Sequence, residues 1–509
     1  MSSAERSISE LLRVSAVRDP RGVFAVFNGT PITFASLEEQ ASSLAAELVS
    51  RGLRGGDRVA VMMRNSPEVL AVVFGLAKAG IVWVPLNTKQ KGNGLRYILE
   101  HAKPSLVIAD NEAVEIIVES GAPVSAEQVI VHGERVPNAR LSELLKGGRQ
   151  FEGRGPALED PFAVMYTSGT TGRPKGVIVS NRMMCLAGEG AGLVSNTRQG
   201  DVMLVWEPLY HIGGAQLLGL PMSRGVTLAL LDRFSAGRFW EQARNAGATH
   251  IHYLGGILEI LLKQPASARD RDHHVRVAWG GGCPAEIWAE CQFRFGVAIR
   301  ECYGMTEASS ITTYNEDGVL GSVGRPVPWF TTEVVGQDGA PVRQGERGEI
   351  VVRANVPGAI FPGYFDDPEA TSKALRQGAL YTGDLGSLDA QGNLFFHGRI
   401  TESVRCRGEN VSAWEVEHVA AEHPAVEECA MVGVAAEIGE QDIKLFVKPW
   451  PGLNIDPAEL INWLSNRLAP YQLPRYVAII DEFERTPSMR IMKHRLSRAL
   501  DDCWVRSSR

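Results

Sequence analysis

The sequence has no metal-cluster pattern. Seven cysteines stand at positions 185, 283, 291, 302, 406, 429 and 503, none in CxxC spacing and none beside a tight histidine group. That excludes the common zinc-ligand motifs and predicts reduced thiols in a cytoplasmic protein, not disulfides. A long uninterrupted apolar run is also missing. The longest apolar stretch, 69–86, is broken by Lys78, Gly80 and Pro85. A membrane span needs ~20 such residues, so a buried helix leading into a strand is expected there. The opening segment MSSAERSISELLRVSAVRDP has no signal-peptide core, and the final SSR is not an SKL-type peroxisomal address. Repeats and low-complexity linkers are absent. No basic excess is present: the formal net charge is −7, with both signs spread along the chain. That argues against a nucleic-acid partner.

What is present reads as α/β. A chain of 509 residues exceeds one compact core, so two or more domains are expected. Ser36 and Glu39 have capping-box spacing, and Leu37, Ala41, Leu44, Ala45 and Leu48 then mark one helix face. Arg58 to Met63 reads as a buried strand, Ser66-Pro67 as a helix start, and Ile81 to Val84 as the next strand. Strand, helix and strand in that order predict a parallel βαβ unit. Further strands are expected at Phe162 to Tyr166, Asp201 to Val205 and Val275 to Trp279, and a helix at Leu254 to Leu262. Ser322 to Arg353 alternates in a β-rich pattern. Beyond residue 400, Ala413 to His423 predicts a helix and Glu428 to Val434 a strand. Ile443 to Lys448 predicts another strand, and Asp456-Pro457 with Glu459 a helix start.

The segment Tyr166 to Gly176, YTSGTTGRPKG, carries the chemistry. A strand runs into a loop with Gly169, Gly172 and Gly176. Thr167, Ser168, Thr170 and Thr171 surround these glycines, and Lys175 follows. Glycines let backbone N–H groups approach an anion, hydroxyls add donors, and lysine adds a point charge. Such a loop suits nucleotide phosphates. It lacks Walker A spacing.

This segment resembles the signature loop of the adenylate-forming superfamily, which includes acyl-CoA synthetases, peptide-synthetase adenylation domains and luciferase. PLYHIGG at Pro208 to Gly214, YGMTE at Tyr303 to Glu307, YTGDL at Tyr381 to Leu385, Gly398-Arg399 and Arg407 to Asn410 resemble the family's further motifs, in the family's order. The resemblance implies a large N-terminal domain, 1–399, of parallel-type α/β sheets plus a β-rich subdomain. It also implies a small mobile α/β C-terminal domain, 400–509, with a hinge near Glu402. It implies ATP, Mg²⁺ and CoA as cofactors or co-substrates. Thr167 to Gly172 and Lys175 would bind phosphates. Glu307, with Thr170, would ligate magnesium, which prefers few carboxylates together with phosphate oxygens. Gly281, Gly282 and Cys283 would line the adenine, and Tyr303 would stack on it, followed by Gly304, Met305 and Thr306. Asp384 would reach the ribose and Arg399 the ribose or phosphate, and Gly408 would line the thiol tunnel. His211 would sit at the acyl pocket, with Tyr253 to Gly256, Gly280 to Gly282, Gly304 and Ala308.

One departure stands out. The family's C-terminal pattern T-x-x-G-K-I reads Thr486-Pro487-Ser488-Met489-Arg490-Ile491 here, so Arg490 takes the place of the catalytic lysine. Arginine keeps the charge but is larger, planar and forked. Lys493 is an alternative cation. The implied function is an acid:CoA ligase that forms acyl-AMP and then a thioester. Tyr253 to Gly256 offers little bulk, which suits a ring or medium-chain acid. A looser resemblance points to the carnitine/crotonobetaine-CoA ligase group. A stand-alone enzyme loading a carrier protein or an amine is the second reading. A degenerate nucleotide-binding protein without turnover is the third. A homodimer is compatible with the sequence.

Overall fold

A computed structural model of the chain describes residues 6–133, 139–167, 174–254, 256–400, 403–406, 409–436, 441–485 and 491–506. The first layer follows from the apolar patterning. The helix Pro67–Lys78 is capped by Ser66, whose side chain accepts from the Val69 N–H, with proline at the first helical position. Val69, Leu70, Val72, Val73, Phe74 and Leu76 along it are all buried. Burial of such side chains is worth about 1.5–3 kcal/mol each before entropy is counted. The strands Arg58–Met62 and Val82–Pro85 flank this helix and pair in parallel, as the βαβ pattern predicts.

The cap of the preceding helix differs from expectation. The helix is Phe34–Ser50, its cap is Thr33, and the capping box joins Thr33 to Ser36. Ser36 is therefore the inner member of the box rather than its cap, because Thr33 already stands in extended backbone two residues after Pro31. A second correction concerns Leu254 to Leu262. His250–Leu254 is a strand, and the helix is Ile257–Leu262. The β-branched and aromatic HIHYL run pairs in parallel with Val277–Gly281, which overrides the apolar helical pattern,.

Among the described residues, one seven-stranded sheet runs in the order Ala139–Arg140, Val129–His132, Leu106–Asp110, Arg58–Met62, Val82–Pro85, Pro161–Thr167, Lys175–Ser180. A nine-stranded sheet has the central order Ala298–Tyr303, Val277–Gly281, His250–Leu254, Val202–Val205, Thr227–Leu230. These inner pairings are parallel.

The chain divides into two compact units, Met1–Thr332 with Val352–Leu380, and Glu333–Val351 with Tyr381–Arg509. Both large sheets belong to the first. In the second, Val426–Ala435 pairs antiparallel with Gln441–Pro449, which pairs in parallel with Tyr476–Ile479. The helices Ala413–Ala421 and Pro457–Ser465 supply Val416, Ala420, Leu460 and Leu464 to its core. Among the described residues, no helix is long and apolar enough to cross a membrane.

Candidate active site

Three neighbouring parallel strands end together in the first unit. Tyr253 pairs with Gly280, and Gly280 with Glu301, so Leu254, Gly281 and Tyr303 come out at one edge of the nine-stranded sheet. Ligands of open α/β sheets bind outside such carboxyl ends. Two glycines there are required by close backbone approach. A Cβ on Gly280 would lie 1.8 Å from the Tyr253 carbonyl oxygen, and one on Gly304 would lie 1.7 Å from that of Ser310. The YGMTE segment therefore folds back tightly, and the Thr312 N–H donates to the Tyr303 carbonyl at 2.8 Å.

Glu307 is buried at the end of this turn, with 6% exposure. The Tyr364 hydroxyl donates to its Oε1 at 2.8 Å. Lys175 Nζ lies 5.1 Å from the centre of the same tyrosine ring. The segment 361–365 is laced to both neighbours: the Phe361 N–H donates to the Glu307 carbonyl at 2.9 Å, and the Phe365 N–H to the Gly176 carbonyl at 2.7 Å. Two sequence-predicted site residues, Lys175 and Glu307, thus meet around Tyr364. Sequence reasoning missed Tyr364; the only signal was a Gly-Tyr pair in a loop.

Thr167 and Lys175 are cross-strand partners at the base of the hairpin between Pro161–Thr167 and Lys175–Ser180. The hairpin's loop residues Ser168, Gly169, Thr170, Thr171 and Gly172 lie outside the described residues. Beside its base, His101 Nδ1 is 2.7 Å from the Tyr166 hydroxyl, and burial pushes that phenol up from its ordinary range.

His211 caps the short helix Ile212–Ala215, its Nδ1 accepting from the Gly213 N–H at 3.2 Å. A neutral imidazole so placed carries its proton on Nε2. Gln216 ties this turn to the YGMTE turn. Its Nε2 donates to the Gly213 carbonyl at 3.0 Å, and its Oε1 accepts from the Ser310 hydroxyl at 2.7 Å. One amide therefore joins the PLYHIGG turn to Ser310, three residues past YGMTE.

Gly281 ends the strand Val277–Gly281, and Gly282 and Cys283 follow it. Glu301, missed by sequence reasoning, organises them. Its buried carboxylate accepts from the Gly282 N–H, from the Cys283 N–H at 3.3 Å and from the Tyr253 hydroxyl. Burial pushes the Glu301 carboxyl up to about 7, while those three donors pull the other way. The Tyr253 side chain is fully buried on Glu301. Of the expected acyl-pocket members, Tyr253 thus offers its backbone, and Gly255 lies outside the described residues. Burial also pushes the Cys283 thiol up, so it is a poor nucleophile,.

The second unit holds the remaining described candidates. Asp384 is buried, and Arg399 is its cross-strand partner, with Nε 3.3 Å from Asp384 Oδ1. Sequence reasoning gave Asp384 to the ribose and Arg399 to the ribose or phosphate; the structure also gives each to the other. Thr382 orients this strand, its hydroxyl donating to the Ile350 carbonyl at 2.8 Å and accepting from the Asp384 N–H at 3.1 Å. Lys493 Nζ is paired with Glu417 Oε2 at 2.9 Å. Glu402, Gly408 and Arg490 lie outside the described residues.

Residues 12–365 match the AMP-binding enzyme family, and residues 415–490 match the AMP-binding enzyme C-terminal domain. The chain belongs to the AMP-binding enzyme family. A crotonobetaine/carnitine–CoA ligase of Salmonella enteritidis is 31% identical over 488 residues, covering 91% of this AMP-binding enzyme and 92% of the relative. Among solved structures, ATP-bound MatB from Rhodopseudomonas palustris is similar with a TM-score of 0.85 at 28% identity, over 96% of this chain and 98% of that one. The o-succinylbenzoate CoA synthetase of Bacillus subtilis, in complex with its acyl-adenylate intermediate, is similar with a TM-score of 0.83 at 26% identity, over 96% and 98%.

Proposed function

We propose that this AMP-binding enzyme is an AMP-forming acid:CoA ligase. The observation that carries the reading is the meeting of Lys175 and Glu307 around Tyr364, at the base of the glycine-rich hairpin. In the first half-reaction a carboxylate oxygen attacks the α-phosphorus of ATP. Acyl-AMP forms and pyrophosphate leaves. In the second, the sulfur of CoA attacks the acyl carbonyl, AMP leaves, and the thiol proton goes to solvent.

The first step brings anions together, so the protein must neutralise charge and position groups. Lys175 is the cation for the β- and γ-phosphates, with the hairpin residues Thr167 to Gly172 as donors. Glu307 fits a hard divalent cation: a buried carboxylate oxygen is fixed by a tyrosine hydroxyl on a rigid turn,. Glu307 with Thr170 would hold Mg²⁺, which when bound supplies charge neutralisation on the phosphates. Gly281 to Cys283 and Tyr303 take the adenine, with Gly304, Met305 and Thr306 on the same turn. Asp384 accepts from the ribose hydroxyls, supported by Arg399. His211 shapes the acyl pocket. Arg490 stands in for the lysine that bridges carboxylate and α-phosphate, and Gly408 borders the thiol tunnel. The functional domains are 1–399 and 400–509, hinged near Glu402, and the enzyme works in the cytoplasm, where a homodimer is compatible with the reading.

The acid is sought by pyrophosphate release with a panel. The named relative acts on crotonobetaine and carnitine, so these open the panel, followed by aryl and medium-chain acids. Acid-dependent pyrophosphate release and CoA consumption are expected. ATP binding with no pyrophosphate release for any acid would overturn the ligase reading.

A further inference from the structure

Asn65 lies between the strand Arg58–Met62 of the seven-stranded sheet and the helix Pro67–Lys78. It is 5% exposed. Its side chain does not serve its own helix, which Ser66 caps. It reaches into the other sheet. Nδ2 donates to the Glu207 carbonyl at 2.8 Å and to the Leu231 carbonyl at 3.1 Å, and Oδ1 accepts from the Leu209 N–H at 3.0 Å.

All three backbone groups lie just past strand ends of the nine-stranded sheet. Glu207 and Leu209 follow Val202–Val205, and Leu231 follows Thr227–Leu230. The Leu231 N–H donates to the Val205 carbonyl at 2.8 Å. One amide therefore clamps two adjoining strand exits. An amide offers two donors and an acceptor in one plane, and this site uses all three. An aspartate would keep the acceptor but set carboxylate oxygen against two carbonyls. Buried polar groups left unpaired in that way cost the whole desolvation penalty.

The clamped stretch leads directly into His211. The His211 N–H donates to the Pro208 carbonyl at 3.1 Å, and Pro208 is the residue between the two that Asn65 grips. From His211 the chain of contacts runs through Gly213 and Gln216 to Ser310. A Cβ on Gly214 would lie 2.4 Å from the Pro208 carbonyl oxygen, so the turn has no slack on that side.

We propose that Asn65 is a positioning residue for the acyl pocket: by clamping Glu207 and Leu209 it sets where His211 stands against the acid. The proposal rests on the reading of His211 as an acyl-pocket residue. Asn65 touches no reacting atom. Its effect belongs to recognition of the acid, not of the nucleotide, because the hairpin base and Glu307 are held by other contacts.

The test measures KM for ATP, KM for the acid and kcat, by pyrophosphate release, in Asn65→Asp, Asn65→Gln and His211→Ala. Asn65→Asp is expected to raise the acid KM by roughly tenfold or more, the worth of one or two lost buried hydrogen bonds. KM for ATP should stay within about twofold. Asn65→Gln keeps both donors and the acceptor on a longer stem, and is expected to show the same split more weakly. Equal changes in both KM values, or a fall in kcat alone, would overturn the proposal, since general loosening produces those. If Asn65→Asp does not fold, the Gln variant decides by the same split. If His211→Ala shifts the acid KM and both Asn65 variants leave it unchanged, the positioning role fails while the pocket reading stands. If His211→Ala leaves the acid KM unchanged, the pocket reading itself fails, and the positioning role with it.

Discussion

Removing one oxygen from Tyr364 tests the proposed role of Glu307 as a magnesium ligand. Tyr364→Phe keeps the ring that faces Lys175 at 5.1 Å and the edge-on packing against Phe361 at 4.9 Å. The Tyr364 N–H still donates to Thr371 Oγ1, since that bond is backbone. The change removes the 2.8 Å bond between the hydroxyl and Glu307 Oε1. A hydrogen bond to a charged group is worth about 1.5–3 kcal/mol, so a loss of about 2 kcal/mol is expected. That is about thirtyfold in kcat/KM for MgATP. Pyrophosphate release measured across a Mg²⁺ titration should show this fall together with a higher Mg²⁺ requirement, while the melting temperature moves little. Glu307→Gln serves as the reference and should lose far more, because it removes a ligand charge. If Tyr364→Phe matches the parent in both rate and Mg²⁺ dependence while Glu307→Gln is inactive, Tyr364 does not orient the ligand.

Other outcomes are equally specific. Asp384→Asn should raise KM for ATP roughly tenfold by weakening charge-assisted acceptance from the ribose. It should also narrow the preference for ATP over 2′-deoxy-ATP; an unchanged preference would remove Asp384 from the ribose. Arg490→Ala should slow acyl-AMP formation more than thiolysis of pre-formed acyl-AMP, read in separate half-reaction assays. Equal losses would show that Arg490 does not take the lysine's part. Stability should fall in acid, because burial holds the imidazole of His250 down to about 4, from an ordinary value of 6.5. The unfolded chain then binds the proton first, so the stability is present above about 6.5 and is lost as pH drops towards 4. By pH 5 the loss from this group is about 2 kcal/mol. Unfolding midpoints at pH 7 and pH 5 should separate less in His250→Gln than in the parent protein.

The sequence by itself carried the one-dimensional part of this protein. The run from Arg58 to Leu86 specified a parallel βαβ unit because buried strands and a buried helix both read as continuous apolar chain, punctuated by Ser66-Pro67 and Gly80. Lys175, Glu307 and Asp384 could be singled out because they stand in short local motifs that resemble the family's phosphate, metal and ribose segments. Tertiary structure decided what depends on distance across the chain. Ser36 became the inner member of its cap because Thr33 was already extended. His250–Leu254 became a strand because Val277–Gly281 lay beside it to accept its hydrogen bonds. Glu301 and Asn65 left no local signature and Tyr364 only a Gly-Tyr pair, since each acts on groups 18 to 166 residues away, at separations where spacing carries no information. Side-chain chemistry is written residue by residue, but the burial that gives a carboxylate or an amide its force exists only once distant strands have closed around it.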